Sequence, residues 1–387
     1  MYSGSDLVNK AVCTLSTENC YRQQCDNCSS RNGSDLLMID EDDLDETLDT
    51  NWSLWVTTNN RVELQHFHGS FRSLIEQLNS RWSSFITHTY VTRQQREYIK
   101  TLKLTSTFTT FAVIHVDFAE NFTFVIQKEI QSAYWNTKQS SLYTIVLDIG
   151  NDHRNMVIIS NRMQHDTTFV YCTQQLIVKF IREEYPTVSK INYVRYEITL
   201  FYYYFSHMSY FLYSDGAPAQ YKNNNNMTNL SLHEQDFGIK AVWTFTSSGH
   251  GKSPCDGLGA VIKSSARKYL LKHGPEMAFS SAKDFYNFTL EKTSRTTTSS
   301  KPTPSSKTSA NTIQSSNNDC SSDEDKNETN LKSPRSIEVR WLDQAHVEKT
   351  FEKTLKPRWT KLSPRSNGTI LCTNYIFFLY SSSYFGY

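Results

Sequence analysis

The sequence lacks the features that would direct the chain to a membrane or a secretory route. Its first residues, MYSGSDLVNKAVC, contain no apolar core of a signal peptide. The most apolar stretch, residues 198–213, is crowded with tyrosine and is shorter than the ~20 apolar residues that a spanning helix needs. We therefore expect a soluble nuclear or cytoplasmic protein with reduced thiols and no membrane partner.

An excess of one charge is also missing. The 40 lysines and arginines nearly balance the 39 aspartates and glutamates, so the overall charge indicates no partner. Charge is uneven only locally, with an acidic run at residues 39–49 and basic runs at 263–272 and 356–365. Such runs are typical of a solvated surface or of nucleic-acid contact, and both interpretations stay open.

A complete phosphate-binding loop is absent, although residues 246–257 (TSSGHGKSPCDG) resemble one. Gly251, Lys252 and Ser253 match its second half, but Thr246 stands where the first glycine is required. A nucleotide hydrolase that uses Lys252 is one interpretation. The other is a tight turn between a strand and a helix that begins near Asp256.

Cysteine is concentrated near the N terminus. Four of the eight cysteines lie within sixteen residues in a C-x6-C-x4-C-x2-C series: Cys13, Cys20, Cys25 and Cys28. Four soft ligands suit tetrahedral zinc, and a C-x2-C pair presents two thiolates to one metal. The series predicts a structural zinc site, and a set of unpaired surface cysteines is the alternative.

Alternating strand and helix patterns predict an α/β core with a mixed sheet flanked by helices. Strands are expected at 108–118, 122–127, 142–148, 156–160 and 239–245, and helices at 166–185, capped by Asp166, and 256–272. The organisation is a Cys-rich segment (1–35), a helical region (50–104), the core (105–290), a disordered Ser/Thr-rich linker (292–336) and a short C-terminal segment with a tail (337–387).

One segment of the core has an unusual composition. Residues 193–210 are dense in tyrosine and phenylalanine and interrupt the chain before Asp215. The hypothesis is that this stretch is a retained intron and that residues 367–387 are read-through. An aromatic hairpin or a membrane-associated loop is the alternative, and long-read transcript sequencing distinguishes them.

Three acids fall at the ends of predicted core elements. Asp117 ends the first long strand, Asp215 follows a short strand at 211–214, and Asp256 opens a helix. This order predicts that the three carboxylates meet at one end of the sheet, where they would hold two Mg²⁺ or Mn²⁺ ions. The alternative is a helix cap for Asp256 and ordinary turns for Asp117 and Asp215.

Several segments resemble a group of mobile-element-derived invertebrate proteins. They are HVDFAENF (115–122), QKEIQSAYW (127–135), YSDGAPAQYKN (213–223) and WTFTSSGHGKSPCDGLGAVIK (243–263), and the cysteine series and residues 87–103 are similar as well. That group resembles DDE/D-type transposases with an RNase H-like core, and the resemblance covers roughly residues 13–290 apart from one gap. It implies metal-dependent cleavage or strand transfer on DNA. Such transposases commonly have glutamate as the third acid, where this chain has Asp256.

The predicted site follows from these patterns. The expected catalytic residues are Asp117, Asp215, Asp256 and His250. The expected DNA contacts are Lys222, Lys252, Lys263 and Arg267, and the residues expected to stack on bases are Tyr134, Trp135 and Tyr221. Partners would be DNA and a second copy of the chain. A catalytically inactive DNA- or protein-binding relic of a transposase is the alternative function, and the nucleotide hydrolase is the second alternative.

Overall fold

The predicted α/β class is confirmed by the computed structural model of the chain. The structure describes residues 4–36, 48–58, 61–106, 110–124, 137–195, 220–245, 253–298 and 337–361. These residues form a six-stranded mixed sheet flanked by helices, and a separate two-stranded hairpin. The arrangement is compatible with an RNase H-like core. None of the helices in these ranges is long and apolar enough to cross a membrane.

The sheet combines an antiparallel centre with parallel additions on both sides. Its strands are β3 (Phe111–Thr123), β4 (Gln139–Ile149), β5 (Asp152–Ser160), β6 (Lys190–Arg195), β7 (Lys240–Phe245) and β8 (Glu338–Leu342). Their order is β7-β6-β3-β4-β5-β8. Strands β3, β4 and β5 are antiparallel neighbours, whereas β6 runs parallel to β3, β7 to β6 and β8 to β5.

Helices cover both faces of the sheet. They are α5 (Thr167–Glu184), α6 (Asn224–Ser231), α7 (His233–Phe237), α8 (Pro254–His273), α9 (Ala282–Thr298), α10 (Gln344–Thr350) and α11 (Lys356–Thr360). One core packs Ile114, Tyr143 and Phe169 under α5, and the other packs Val146, Leu258 and Phe285 under α8 and α9. Because both faces are covered, the strands are nearly continuous apolar runs.

The region before the core is only partly helical. Three short helices, α1 (Gly4–Ala11), α2 (Glu18–Tyr21) and α3 (Gly33–Leu36), precede a hairpin of β1 (Asp49–Thr58) and β2 (Arg61–Ser70). The expectation of helix from residue 50 was wrong for this hairpin, whose Trp52, Leu54 and Val56 alternate with polar residues in the pattern of a strand. Helix α4 (Phe71–Thr105) then forms the rest of the helical region expected at 50–104 as one unbroken helix.

Some strand boundaries in the structure differ from the predicted ones. Strands expected at 108–118 and 122–127 are one strand, β3, with an irregularity between Ala119 and Phe122. The predicted cap of α5 is confirmed, since Asp166 accepts a hydrogen bond from the Phe169 amide at 2.9 Å. Residues 193–195, assigned by sequence to the insert, belong to β6, where Tyr193 is fully buried.

The C-terminal segment is part of the sheet. Strand β8 pairs with β5 at the edge, and α11 is tied to the core by an ion pair between Arg358 and Asp236 at 2.8 Å. The strand expected at 211–214, most of the Ser/Thr-rich linker and the tail from residue 362 lie outside the described residues.

Candidate functional site

The four N-terminal cysteines form a cluster. All four Sγ atoms lie within 4.8 Å of one another, and the Sγ atoms of Cys13 and Cys25 are 3.8 Å apart. Zn–S bonds of ~2.3 Å in a tetrahedron place sulfurs ~3.8 Å apart, so the cluster can hold a metal ion such as zinc. Cys20 and Cys28 are buried, which excludes the alternative of four surface thiols.

The cluster contains thiols of unequal acidity. The Thr17 backbone N–H donates to the Cys20 Sγ at 3.5 Å and lowers the pKa of Cys20 to about 6. Burial raises the pKa of Cys28 to about 12. Because metal binding requires thiolates, a cation bound here would release protons, mainly from the more basic thiols.

The cysteine cluster packs against α4. Trp82 and Ile86 of α4 pack into the same small core as Cys20 and Cys28. The Tyr21 and Tyr90 rings stack with centroids 4.6 Å apart. A substitution or a metal ion that alters the cysteine cluster would therefore also alter its packing against α4.

A second group lies at one end of the six-stranded sheet. His115 of β3 pairs with Val194 of β6, and Arg195 pairs with Phe245 of β7, so β6 and β7 end one residue before the level of Asp117. We call this end, with Asp117, Arg195 and the first turn of α8, the acid edge. Ligands in α/β sheets bind outside the carboxyl ends of parallel strands, which makes the acid edge the candidate site.

Asp117 is buried and ion-paired. Its side chain is 6% exposed and its carboxylate contacts the guanidinium of Arg195, which is 11% exposed. The same guanidinium lies over the Tyr221 ring, 5.1 Å from the centroid. Thr144, opposite Asp117 on β4, donates from Oγ1 to the Asp117 carbonyl at 3.2 Å. The turn interpretation of Asp117 is therefore wrong, because the residue lies within β3.

Asp256 helps to begin α8. Its Oδ2 accepts from the Ser253 amide at 2.8 Å, and its own amide donates to Ser253 Oγ at 3.3 Å, a reciprocal capping box. The helix then passes close to the sheet, because a Cβ on Gly259 would lie 3.0 Å from the Cβ of Ala119. The capping alternative for Asp256 is thus supported, with Ser253 as the N-cap residue.

The described residues that were predicted to contact DNA differ in their burial and in their protein partners. Lys263 Nζ lies 3.4 Å from Glu120 Oε2, and Lys222 lies over the Phe245 ring at 5.1 Å. Arg267 is exposed on α8. Tyr221 is fully buried and bonded to the Tyr143 hydroxyl at 3.3 Å, so its predicted stacking on bases is wrong.

Five predicted residues lie outside the described residues: Tyr134, Trp135, Asp215, His250 and Lys252. Within the described ranges, only the cysteine cluster brings three or more potential metal ligands together. Asp117 and Asp256, each engaged by a protein partner, do not by themselves form a site for Mg²⁺ or Mn²⁺. Sequence reasoning missed Arg195, which it had assigned to the insert; its position just after a buried parallel strand is the signal that points to the acid edge.

Residues 95–208 and 197–325 match the model of a protein family described as "Domain of unknown function (DUF8701)". Together the two segments span more than half of the chain, and they overlap inside the stretch of unusual composition. No curated protein and no solved structure gives a significant match.

Proposed function

The chain belongs to the DUF8701 family, and we propose that its core is the RNase H-like domain of a transposase-derived protein that acts on DNA phosphodiesters. One observation carries the proposal: Asp117 lies on the central strand β3, one residue beyond the ends of the parallel strands β6 and β7. Three antiparallel strands, a helix, a strand, helices and a strand are followed by the helices α8 and α9. As far as α8, this is the order that the transposase resemblance implies.

The proposed acids are Asp117, Asp215 and Asp256. Bound Mg²⁺ or Mn²⁺ would supply charge neutralisation at the phosphate and activation of the attacking oxygen. Carboxylates are the right chemistry for these hard cations, but the described contacts of Asp117 and Asp256 are with Arg195 and the start of α8. No catalytic step through a metal is therefore derived from this geometry.

Basic groups around the acid edge are proposed to hold the DNA backbone. Lys222 and Lys263 are near the ends of β7 and β3, and Arg267 follows one turn after Lys263 on α8. His250 and Lys252, which precede α8 in the sequence, would face a phosphate. DNA as substrate implies a nuclear location, and transposase ancestry favours a homo-oligomer.

The cysteine cluster is proposed to hold structural zinc. Zinc would connect α1, α2 and the following turns and thereby stabilise their contact with α4. This N-terminal unit, with the adjacent hairpin, would then contact DNA or a protein partner.

Cleavage of labelled duplex DNA tests the proposed activity. With Mg²⁺ or Mn²⁺, we expect cleavage by wild type and a loss of at least about a hundredfold in Asp117→Ala and Asp215→Ala. Asp152→Ala is the matched control, because Asp152 begins β5 at the opposite end of the sheet. Equal cleavage by all four proteins would contradict the assignment.

A non-catalytic relic that binds DNA or protein is the second candidate. The observation that favours it is the engagement of both described acids by protein partners. It predicts DNA or partner binding with no cleavage under any divalent cation. Nucleotide hydrolysis through Lys252 stays a prediction from sequence, and ATP turnover that is lost in Lys252→Ala would support it.

A further inference from the structure

Arg195 is unusually buried for an arginine at the end of a strand. It is the last residue of β6, yet its side chain is only 11% exposed and contacts a carboxylate that is 6% exposed. The guanidinium is also bounded by the fully buried Tyr221 ring. A buried ion pair of this kind is sensitive to the loss of either partner, because the remaining charge is left without compensation.

The two charges come from different faces of the sheet. Asp117 alternates along β3 with Val116 and Phe118, which pack in the core beneath α5. Arg195 lies two residues after Tyr193 on β6, so its side chain leaves the strand on the same face as Tyr193, which packs in that same core. The Arg195 side chain therefore reaches across the end of its strand to meet Asp117.

We propose that Arg195 is the resident cation of the acid edge and excludes a divalent metal from Asp117. The inference rests on the proposed function, since it concerns the regulation of the same site. A guanidinium and a metal ion both need direct contact with the carboxylate oxygens, and the buried surroundings of Asp117 provide little room for both. The positive charge of Arg195 also opposes a second cation nearby.

This arrangement explains why the acid edge is not a metal site in the described geometry. Divalent cations gain access to Asp117 only when the guanidinium leaves. Removal of the Arg195 charge would leave a buried carboxylate that is neutralised either by a proton or by a cation from solution, and a cation that binds only the folded chain would stabilise it.

Binding of Mn²⁺ to the full-length, zinc-loaded chain tests the proposal, with electron paramagnetic resonance to count free ions. The variants are Asp117→Asn, Arg195→Gln and the double substitution, with Arg195→Lys as the charge-retaining control. Wild type and Arg195→Lys should bind no more Mn²⁺ than Asp117→Asn. Arg195→Gln should bind one additional Mn²⁺ at least about tenfold more tightly, and the gain should vanish in the double variant.

Two outcomes would overturn the inference in different ways. If wild type and Arg195→Gln bind Mn²⁺ equally and both exceed Asp117→Asn, the metal site stands and Arg195 does not block it. If no protein exceeds Asp117→Asn, the proposed metal site fails as well, and the inference fails with it.

If Arg195→Gln folds poorly, thermal unfolding with and without Mn²⁺ provides a second measurement of cation binding. Restoration of a cooperative transition by Mn²⁺, but not by NaCl of equal ionic strength, would support the proposal. A variant that stays unfolded in both salts would show that Arg195 is needed for folding alone, which would overturn it.

Discussion

The cysteine cluster and the acid edge were both predicted as metal sites, but their ligands have different surroundings in the structure. Four thiol sulfurs lie within 4.8 Å of one another. At the acid edge, the Asp117 carboxylate is paired with Arg195, and the Asp256 carboxylate accepts a hydrogen bond from the Ser253 amide. Suitable ligand types are therefore not enough to make a metal site; the ligands must also converge on one point without a protein cation that pairs with them first.

The largest effect is expected from a substitution that removes one thiol from the cysteine cluster. Cys28→Ala should abolish zinc binding, because three thiolates with a solvent ligand hold zinc far less tightly than four. Structural zinc contributes about 10 kcal/mol or more to small domains, so the N-terminal helices should separate from α4. The measurement is zinc content per chain together with proteolysis of the N-terminal segment.

Cys320→Ala provides the control for the loss of a thiol, because Cys320 lies far along the chain in the Ser/Thr-rich linker. This variant should keep one zinc ion. Full zinc content in Cys28→Ala would mean that the cluster is not the metal site.

A smaller effect is expected at the acid edge. Asp117→Ala leaves the Arg195 guanidinium buried without a partner and should cost about 3–5 kcal/mol in the free energy of unfolding. Urea unfolding measures it. Replacement of both residues, Asp117→Ala with Arg195→Met, should recover a large part of the loss, and a double variant that is no more stable than Asp117→Ala would contradict the ion-pair account.

Acid should destabilise the side of the sheet formed by β6 and β7 through His233, which contacts the Tyr193 hydroxyl of β6. His233 is buried, its Nδ1 lies 2.7 Å from the Ile239 carbonyl oxygen, and burial lowers its pKa to about 4. The unfolded chain, with a histidine pKa near ~6.5, takes up the proton first as pH falls, so stability present above pH ~6.5 is lost progressively towards pH ~4. Between pH 7 and pH 5 the loss from this group should be about 2 kcal/mol.

Chemical unfolding of wild type and His233→Gln at the two pH values measures this loss. The variant should show a smaller decrease in stability on acidification, by roughly 2 kcal/mol. Identical decreases would show that His233 does not carry the acid sensitivity. Zinc-loaded protein should be used throughout, because protonation of the cysteine thiolates weakens metal binding over a similar range.

The smallest effect is expected at Asp256, where two substitutions distinguish a helix-capping carboxylate from a metal ligand. Asp256→Ala should cost about 1 kcal/mol through loss of the capping box, whereas Asp256→Glu should be nearly neutral because glutamate also serves that position. Thermal denaturation measures both. Equal destabilisation by the two substitutions would argue that the carboxylate has a role other than capping.

The same two regions show how far sequence reasoning reaches. The cysteine cluster was predictable because its ligands lie within sixteen residues, where spacing alone restricts the geometry. The strands β4, β5 and β7 and the helices α5 and α8 were predictable from continuous apolar runs and caps such as Asp166.

The ion pair at Asp117 was not predictable in this way. Arg195 is 78 positions further along the chain, and the two residues meet only because β6 lies parallel to β3. The hairpin of β1 and β2 was missed for a different reason, since its alternating Trp52, Leu54 and Val56 were absorbed into the helical pattern that follows.

Anomalous X-ray scattering from crystals of the full-length chain, grown with Zn²⁺ and soaked in Mn²⁺, tests the contrast between the two regions most directly. The account predicts a zinc peak between the Sγ atoms of Cys13, Cys20, Cys25 and Cys28, and no manganese peak at Asp117 while Arg195 contacts it. A manganese peak on Asp117 in the wild-type protein, or no zinc peak among the four cysteines, would contradict it.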